Sequence, residues 1–370
     1  MVSIRARRTR LPAVPGRAGL LVFAAAALLV ISACGSGGGQ PGSAGGSGAA
    51  DSRAAGSGAA DLQATYERVV RQVLPSVVEI DAGASTGSGV VFDSQGDIVT
   101  NAHVLADAKT IAVKSSMLSA PLTARVVGVF APDDLAVIKV DDSTGDLQAP
   151  RWADSAKIQV GQIVLAMGSP YGLADSVTQG IVSATARTVT GPPITGPGTQ
   201  RTPMAIADAI QTSAAINPGN SGGALVLLTG YVAGIPTLTA RDPEFGGRAE
   251  GIGFAIPSNT VRNIATQLID KGKVTTSDRA ALRITGRTHT DSASAPDGVT
   301  VDAVQPGGAA SDAGIAPGDV IVGLGGHEIL NISQLENALV TYRPGEKVTI
   351  EVLRNGNPKQ FTVTLASLIS

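Results

Sequence analysis

Cysteine is all but absent from this chain. Cys34 is the only one in 370 residues, so no intramolecular disulfide can form and no thiolate cluster can hold a metal. Histidine is nearly as scarce. His103, His289 and His327 are too scattered to show paired-ligand spacing, which sets metal cofactors aside. Neither sign of charge dominates: 28 basic and 30 acidic side chains leave a formal net charge of −2. Nucleic acid is therefore not an expected partner. The glycines of "GLGG" (323–326) and of the N-terminal tract lack the strand-to-helix context of a dinucleotide loop. Aromatic residues supply only 3% of the chain. What it has instead is glycine, 46 residues, in a composition that is 43% hydrophobic and rich in Val, Ile and Thr. That excludes global disorder and leans towards β structure. The length suits two or three domains, each with its own core.

Long apolar runs are limited to one. "AGLLVFAAAALLVISAC" (18–34) follows a stretch with five arginines and no acid. This is the order of an export signal, a basic region before an apolar one. The run is shorter than the roughly 20 residues of a spanning helix, though an uncleaved anchor is the alternative. It ends in Ile31-Ser32-Ala33-Cys34, which resembles the bacterial lipobox, in which the cysteine is acylated and becomes the new N-terminus. A lone cysteine in an exported chain is explained by such acylation. Residues 1–33 then read as a lipoprotein signal peptide, and the protein as lipid-anchored on the extracytoplasmic face of the cell membrane. Loss of the five arginines leaves the mature chain at −7. Residues 34–60 read as a tether: 22 of the 26 residues from 35 to 60 are Gly, Ala or Ser. Such a segment buries too little to offset its ordering entropy and reaches about 28 Å as a random coil.

From Tyr66 the pattern changes. "YERVVRQVLPSVVEI" reads as a short helix ended by Pro75 and then a strand. Short β-branched runs follow, punctuated by Gly, Asp and Ser, as in an all-β barrel or sandwich. "SNTVRNIATQLIDKGK" is clearly helical, with Ser258 as its cap, Val261, Ile264, Ala265, Leu268 and Ile269 on one face, and Gly272 at its end. It closes a β domain over 61–272. Residues 273–370 hold a polar connector (274–292), expected to be mobile, and a small αβ unit.

"INPGNSGGAL" (216–225) places Ser221 among glycines and asparagines. Alone it is an ordinary strand-to-strand loop. A nucleophilic hydroxyl needs an adjacent base, itself held by a carboxylate. The β domain has one histidine, His103 in "VTNAHVL". Asp134, at the start of "LAVIKV", is the better carboxylate than its neighbour Asp133, because it abuts the apolar strand. The order His, Asp, Ser, with separations of 31 and 87 residues, is the chymotrypsin order, which suits a cleft between two β-barrels.

"GSGVVF", "TNAHVL", "DDLAVIKV", "GSPYGL", "QTSAAINPGNSGGAL" and "GIGFAIP" resemble the HtrA (Deg) serine proteases, from about residue 62 to the C-terminus. The resemblance implies a mainly β, chymotrypsin-like double barrel followed by a PDZ domain. It implies His103 as general base and acid, Asp134 as its orienter, Ser221 as nucleophile, and an oxyanion hole from the N–H groups of Gly219, Asn220 and Ser221. It also implies unfolded or damaged proteins as substrates, a small aliphatic P1 residue, and trimers. Gly219 would leave its peptide free to turn an N–H into the hole, while Gly222 and Gly223 would keep bulk from the attacking oxygen. "GIPTLTA" (234–240) is the expected wall of the P1 pocket, and 188–204 matches the family's sensor loop. Ser213 stands where many members carry an acid. "GGAASDAGIAPGDVIVGLGGHEI" resembles a PDZ domain, implying C-terminal peptides as partners on a carboxylate loop of Ala281, Leu282, Arg283 and Ile284, where relatives often have glycine at 283. His289 and His327 are a linker and a surface residue. A non-catalytic lipoprotein using its PDZ unit for peptide binding or chaperoning is the competing reading.

Overall fold

A computed structural model describes residues 48–140, 147–169, 176–194, 202–217, 219–241 and 248–369. Apart from the first turns of helix α1, every described element belongs to one compact unit, residues 55–370. The lipobox segment and Cys34 lie outside the described residues. Among those described, no helix is long and apolar enough to cross a membrane.

Helix α1 spans Gly48–Val73, so the expected tether is shorter than its composition suggests. Six alanines between 48 and 60 are strong helix formers. Extending an existing helix also avoids the unfavourable nucleation step. Tyr66, Val69, Val70 and Val73 form its apolar stripe, with Val69 and Val73 fully buried. Pro75 sits in the 3-10 turn Leu74–Ser76 that ends it.

Six strands follow: β1 (Val77–Asp81), β2 (Thr86–Val91), β3 (Asp97–Thr100), β4 (Ile111–Lys114), β5 (Leu122–Phe130) and β6 (Leu135–Val140), with helix α2 (Ala102–Leu105) after β3. They close into a barrel in the order β1-β2-β3-β6-β5-β4. The next seven are β7 (Arg151–Trp152), β8 (Ile163–Gly168), β9 (Ser176–Ile194), β10 (Thr202–Thr212), β11 (Ala224–Leu227), β12 (Tyr231–Arg241) and β13 (Arg248–Pro257). Their order is β11-β8-β9-β10-β13-β12, β11–β12 pairing closes the ring, and β7 lies outside on β12.

Several strands read as continuous apolar runs because both of their faces are buried. In β6, Ala136, Ile138 and Val140 point into the first barrel, while Leu135 and Val137 point into the core shared with the second. In β8, Val164 and Ala166 fill the second barrel and Leu165 and Met167 face the shared core. Period-2 alternation thus separates two apolar environments rather than core from solvent.

Helix α3 (Ser258–Lys271) packs Val261, Ile264, Ala265 and Leu268 onto the shared core. Gly272 ends it at φ +67°, as expected, but Ser258 does not cap it. Ser258 is already the first helical residue, and its hydroxyl donates to the Ala153 carbonyl at 2.8 Å. The connector is docked rather than mobile. The Gln267 side chain accepts from Thr275 N (2.9 Å) and Thr276 N (3.0 Å) and donates to Thr276 O (2.8 Å).

Beyond it lie β14 (Ala280–Ala281), β15 (Ile284–Thr290), β16 (Pro296–Val304), α4 (Ala309–Ala313), β17 (Val320–Leu324), β18 (His327–Glu328), α5 (Ile332–Leu339), β19 (Lys347–Arg354), β20 (Asn357–Thr364) and β21 (Ala366–Ser367). The sheet runs β15-β16-β17-β19-β20, leaving β15 at an edge, and β21 returns to pair with β14.

Candidate active site

His103 lies in the single turn of α2, directly after β3. Asp134 follows the 3-10 turn Ala131–Asp133 that leads into β6. Strands β3 and β6 are hydrogen-bonded neighbours, with Thr100 opposite Ala136, so the two ends meet by register. The His103 N–H donates to Asp134 Oδ1 at 3.0 Å, and Nδ1 lies 2.7 Å from Oδ2. The Thr237 hydroxyl also donates to Oδ2 in a short hydrogen bond. Asp134 is wholly buried, while 38% of the His103 side chain is open. Burial pulls the imidazole pKa down, but the charge and hydrogen bond of Asp134 outweigh it and leave the pKa above the ordinary histidine value. Asp134 itself is a left-handed residue, φ +54°, a conformation that aspartate tolerates better than most. Its carbonyl is held twice, by Ala102 N at 3.1 Å and Asn101 Nδ2 at 3.0 Å.

The rival carboxylate has a different role. Asp133 is buried and faces Arg279 Nη1 at 3.3 Å. Burial pushes its pKa up to about 6 against the opposing pull of that guanidinium.

Ser221 belongs to the second barrel, in the turn before β11. Its carbonyl accepts from Ser88 N at 2.9 Å. The two halves of the site converge on Gly87. A Cβ there would meet Val104, next to His103, at 2.6 Å and the Ser221 carbonyl oxygen at 3.3 Å. The Ser221 hydroxyl donates to the Thr237 carbonyl at 3.3 Å, and no hydrogen bond joins it to His103.

The expected oxyanion donors divide. Asn220 N–H is committed to the Asn217 carbonyl at 3.2 Å, so it faces away. Gly219 N–H and Ser221 N–H have no acceptor among the described residues. The Asn220 side chain bridges its own loop, accepting from Asn217 N (3.1 Å) and donating to Ala215 O (3.0 Å). Gly219 does take positive φ, +109°. The other two glycines do not serve to clear space before the hydroxyl. A Cβ at Gly222 would meet the Ser88 carbonyl oxygen at 2.2 Å, and one at Gly223 the Met167 carbonyl oxygen at 2.2 Å. They allow the loop to lie against strands β2 and β8.

Two residues passed over in the sequence organise this loop. Ser88, fully buried, donates from its hydroxyl to Gly219 O at 2.5 Å and accepts from Ser169 N at 2.9 Å. Thr237 touches Asp134 through its hydroxyl and Ser221 through its carbonyl. Both are common residue types without a local pattern, and only "GSG" and "GIPT" drew attention to their segments. Pro236 O accepts from Gly222 N at 3.0 Å, so the expected P1 wall does adjoin Ser221. Ser213 exchanges bonds with Ile181, at 3.1 Å through its N–H and 3.0 Å through its hydroxyl.

The segment 188–204 is not a loop along its whole length. Thr188–Ile194 continues β9 and Thr202–Met204 opens β10, with Ile194 opposite Thr202 and Gly191 opposite Met204. Residues 195–201 lie outside the described residues, as do those of "GSPYGL" beyond Ser169.

In the second unit, Ala281, Leu282, Arg283 and Ile284 line one wall of a groove of about 460 Å³, with α5 opposite. Arg283 adopts φ +57°, the conformation in which glycine is at ease. Gln305 N and Ala310 N hold the Arg283 and Leu282 carbonyls at 3.0 Å each. The N–H groups of Leu282 and Arg283 have no acceptor among the described residues.

Comparison with known proteins matches residues 87–235 to the trypsin-like peptidase domain and residues 273–365 to the PDZ domain. The chain is 37% identical to the serine protease Do-like HtrA of Lactobacillus helveticus, over 76% of this chain and 68% of that protein. With the serine protease PepD of Mycobacterium tuberculosis the identity is 36%, over 94% and 78%. The crystal structure of the serine endoprotease from Yersinia pestis superposes with a TM-score of 0.53 at 34% identity, covering 82% of this chain and 98% of that one. With two barrels and a PDZ unit in the same order, and with that extent of identity, the chain belongs to the HtrA family of trypsin-like serine proteases with a C-terminal PDZ domain, and it is a serine endopeptidase.

Proposed function

We propose that the protein is an exported, lipid-anchored endopeptidase that hydrolyses unfolded or damaged proteins with His103, Asp134 and Ser221. The observation that carries this reading is the doubly bonded His103–Asp134 pair beside the Ser221 turn. Asp134 holds the imidazole with Nδ1 protonated and leaves Nε2 as the base. For the reaction the Ser221 hydroxyl leaves the Thr237 carbonyl and bonds to Nε2, a tightening that ligand-free sites often await. The Ser221 oxygen then attacks the scissile carbonyl carbon while its proton passes to His103. The oxyanion is stabilised by Gly219 N–H and Ser221 N–H. Collapse breaks the C–N bond as His103 returns the proton to the leaving amine. Water, deprotonated by His103, later attacks the acyl-enzyme and frees Ser221. Each oxyanion donor of this kind is worth about 3–4 kcal/mol of barrier.

The edge strand β15 and the free N–H groups of Leu282 and Arg283 support capture of a peptide C-terminus by strand addition. Curated relatives such as the periplasmic endoprotease DegQ of Escherichia coli favour an extracytoplasmic location, and Cys34 is the proposed acylation site. Assembly into trimers is part of the same reading.

Fluorophosphonate labelling of purified protein tests the site. We expect one equivalent on Ser221, and a loss on the order of 10⁶ in turnover of an unfolded substrate for Ser221→Ala. Wild-type cleavage by that variant would refute the assignment. An unlabelled but peptide-binding wild type would favour the non-catalytic lipoprotein.

A further inference from the structure

The turn that presents Asp134 is held from two sides. On the inner side, Ala102 and Asn101 grip the Asp134 carbonyl. On the outer side the grip comes from the PDZ half of the chain. Arg279, one residue before β14, donates from Nη1 to the Pro132 carbonyl at 2.6 Å and faces Asp133 Oδ1 at 3.3 Å. Its side chain is 9% exposed and that of Asp133 4%, so this is a desolvated, charge-assisted contact.

The turn it grips is an uncommon one. Ala131–Asp133 is a single 3-10 turn closed by Asp134 N–H on the Ala131 carbonyl at 3.0 Å, and Asp134 leaves it in the left-handed region. Such a conformation in a non-glycine residue persists where its surroundings over-determine it. Removing the outer grip leaves the turn with its inner contacts and its packing against β10.

Arg279 is also fixed at its other end. Its carbonyl accepts from Leu368 N at 2.7 Å, and the Ser277 hydroxyl donates to the Leu368 carbonyl at 2.7 Å. Arg279 and Pro132 both line the groove that carries Ala281–Ile284, as does Glu336 of α5. Arg279 Nε and Glu336 Oε2 are buried without partners, so hydrogen-bonding capacity is unspent at this junction.

We propose that Arg279 is a positioning residue of the proteolytic site, which acts from the PDZ side through Pro132 and Asp133 to fix the backbone of Asp134. The inference rests on the reading of His103, Asp134 and Ser221 as the triad. Its consequence is that the seating of the PDZ half is felt at the His103–Asp134 pair.

The test uses the full chain and two variants, with rates expressed per fluorophosphonate-titrated site. Arg279→Met combined with Asp133→Asn removes the grip without leaving Asp133 as a buried, unpaired charge. Arg279→Lys keeps one cationic donor within reach of Pro132. For the double variant we expect kcat on a short chromogenic peptide to fall at least tenfold with KM within twofold of wild type. The acidic limb of kcat/KM should move to lower pH, because the imidazolium loses part of its stabilisation by Asp134. Arg279→Lys should recover part of both. Wild-type kcat and an unmoved acidic limb in the double variant would overturn the proposal. A fall in kcat with an unmoved limb would overturn it equally, since that marks a loss unrelated to Asp134. Absence of label on the wild-type protein would instead refute the triad reading beneath it.

Discussion

Replacing Ser88 by alanine removes one oxygen and should damage catalysis more than stability. The hydroxyl donates to Gly219 O and accepts from Ser169 N, using one donor and one acceptor of its capacity. Alanine leaves a buried carbonyl and a buried N–H without partners, at roughly 1–3 kcal/mol each. The Ser88 backbone is untouched, so its N–H still holds the Ser221 carbonyl at 2.9 Å. What changes is the Gly219–Asn220 peptide, whose carbonyl loses its anchor and can turn about the Gly219 Cα–C bond. That loosens Gly219 itself, whose permissive φ lets the preceding peptide, which carries Gly219 N–H, lose its aim. Complete loss of an oxyanion donor costs about 10²–10³ in kcat, so a donor aimed correctly for part of the time implies a fall of about 10- to 100-fold. KM should stay within twofold, because the oxyanion exists only in the transition state. The assay is steady-state cleavage of a chromogenic peptide, normalised to titrated Ser221, with thermal unfolding alongside. Ser88→Ala enzyme with wild-type kcat would refute the argument, as would a rise in KM at constant kcat.

Two further outcomes follow from other parts of the chain. Asp133 keeps its proton up to about pH 6 in the folded protein, against an ordinary value of 3.8. Folding then favours the protonated form, so its contribution is full below about pH 4 and is lost as pH rises through 6. Asp133→Asn should flatten the pH dependence of denaturant-measured stability across that window, and parallel curves for the two proteins would refute the assignment. Cys34→Ala should release the protein from membranes or block its maturation, because several acyl chains at about 0.8 kcal/mol per buried CH₂ anchor firmly where one does not. Full retention in the membrane fraction would point to an uncleaved apolar anchor.

The candidate site was legible in the sequence where chemistry demands particular residue types. A lone histidine, an aspartate at the head of an apolar strand and a serine among glycines left few alternatives, and the structure brings His103 and Asp134 into contact. The supporting contacts were not legible. Ser88 lies 131 residues from Gly219, Thr237 103 residues from Asp134, and Arg279 147 residues from Pro132, and no local pattern encodes such distances. Asn220 misled because a turn's internal hydrogen bond, not the residue type, decides which N–H faces the site. The long β9–β10 ribbon was hidden by its glycines and prolines, which read as loop although Ile194, Met204 and Ile206 are buried. Helix α1 was shortened by the same compositional habit. The barrels themselves showed through clearly, because strands buried on both faces cannot be written in polar residues.

Thr237 has a consequence for how the enzyme could be taken apart. Through one residue of β12, the second barrel holds both the acid of the first barrel and the hydroxyl of its own serine. The two barrels therefore share a latch rather than an open seam. Sliding one past the other by an ångström would break the Thr237–Asp134 bond and the Ser88 N–H bond to the Ser221 carbonyl together, so there is no half-assembled enzyme with half the activity. Were the chain cut between the barrels and the pieces allowed to re-associate, cleavage would report their docking as a switch, silent until the seam closes and complete once it has.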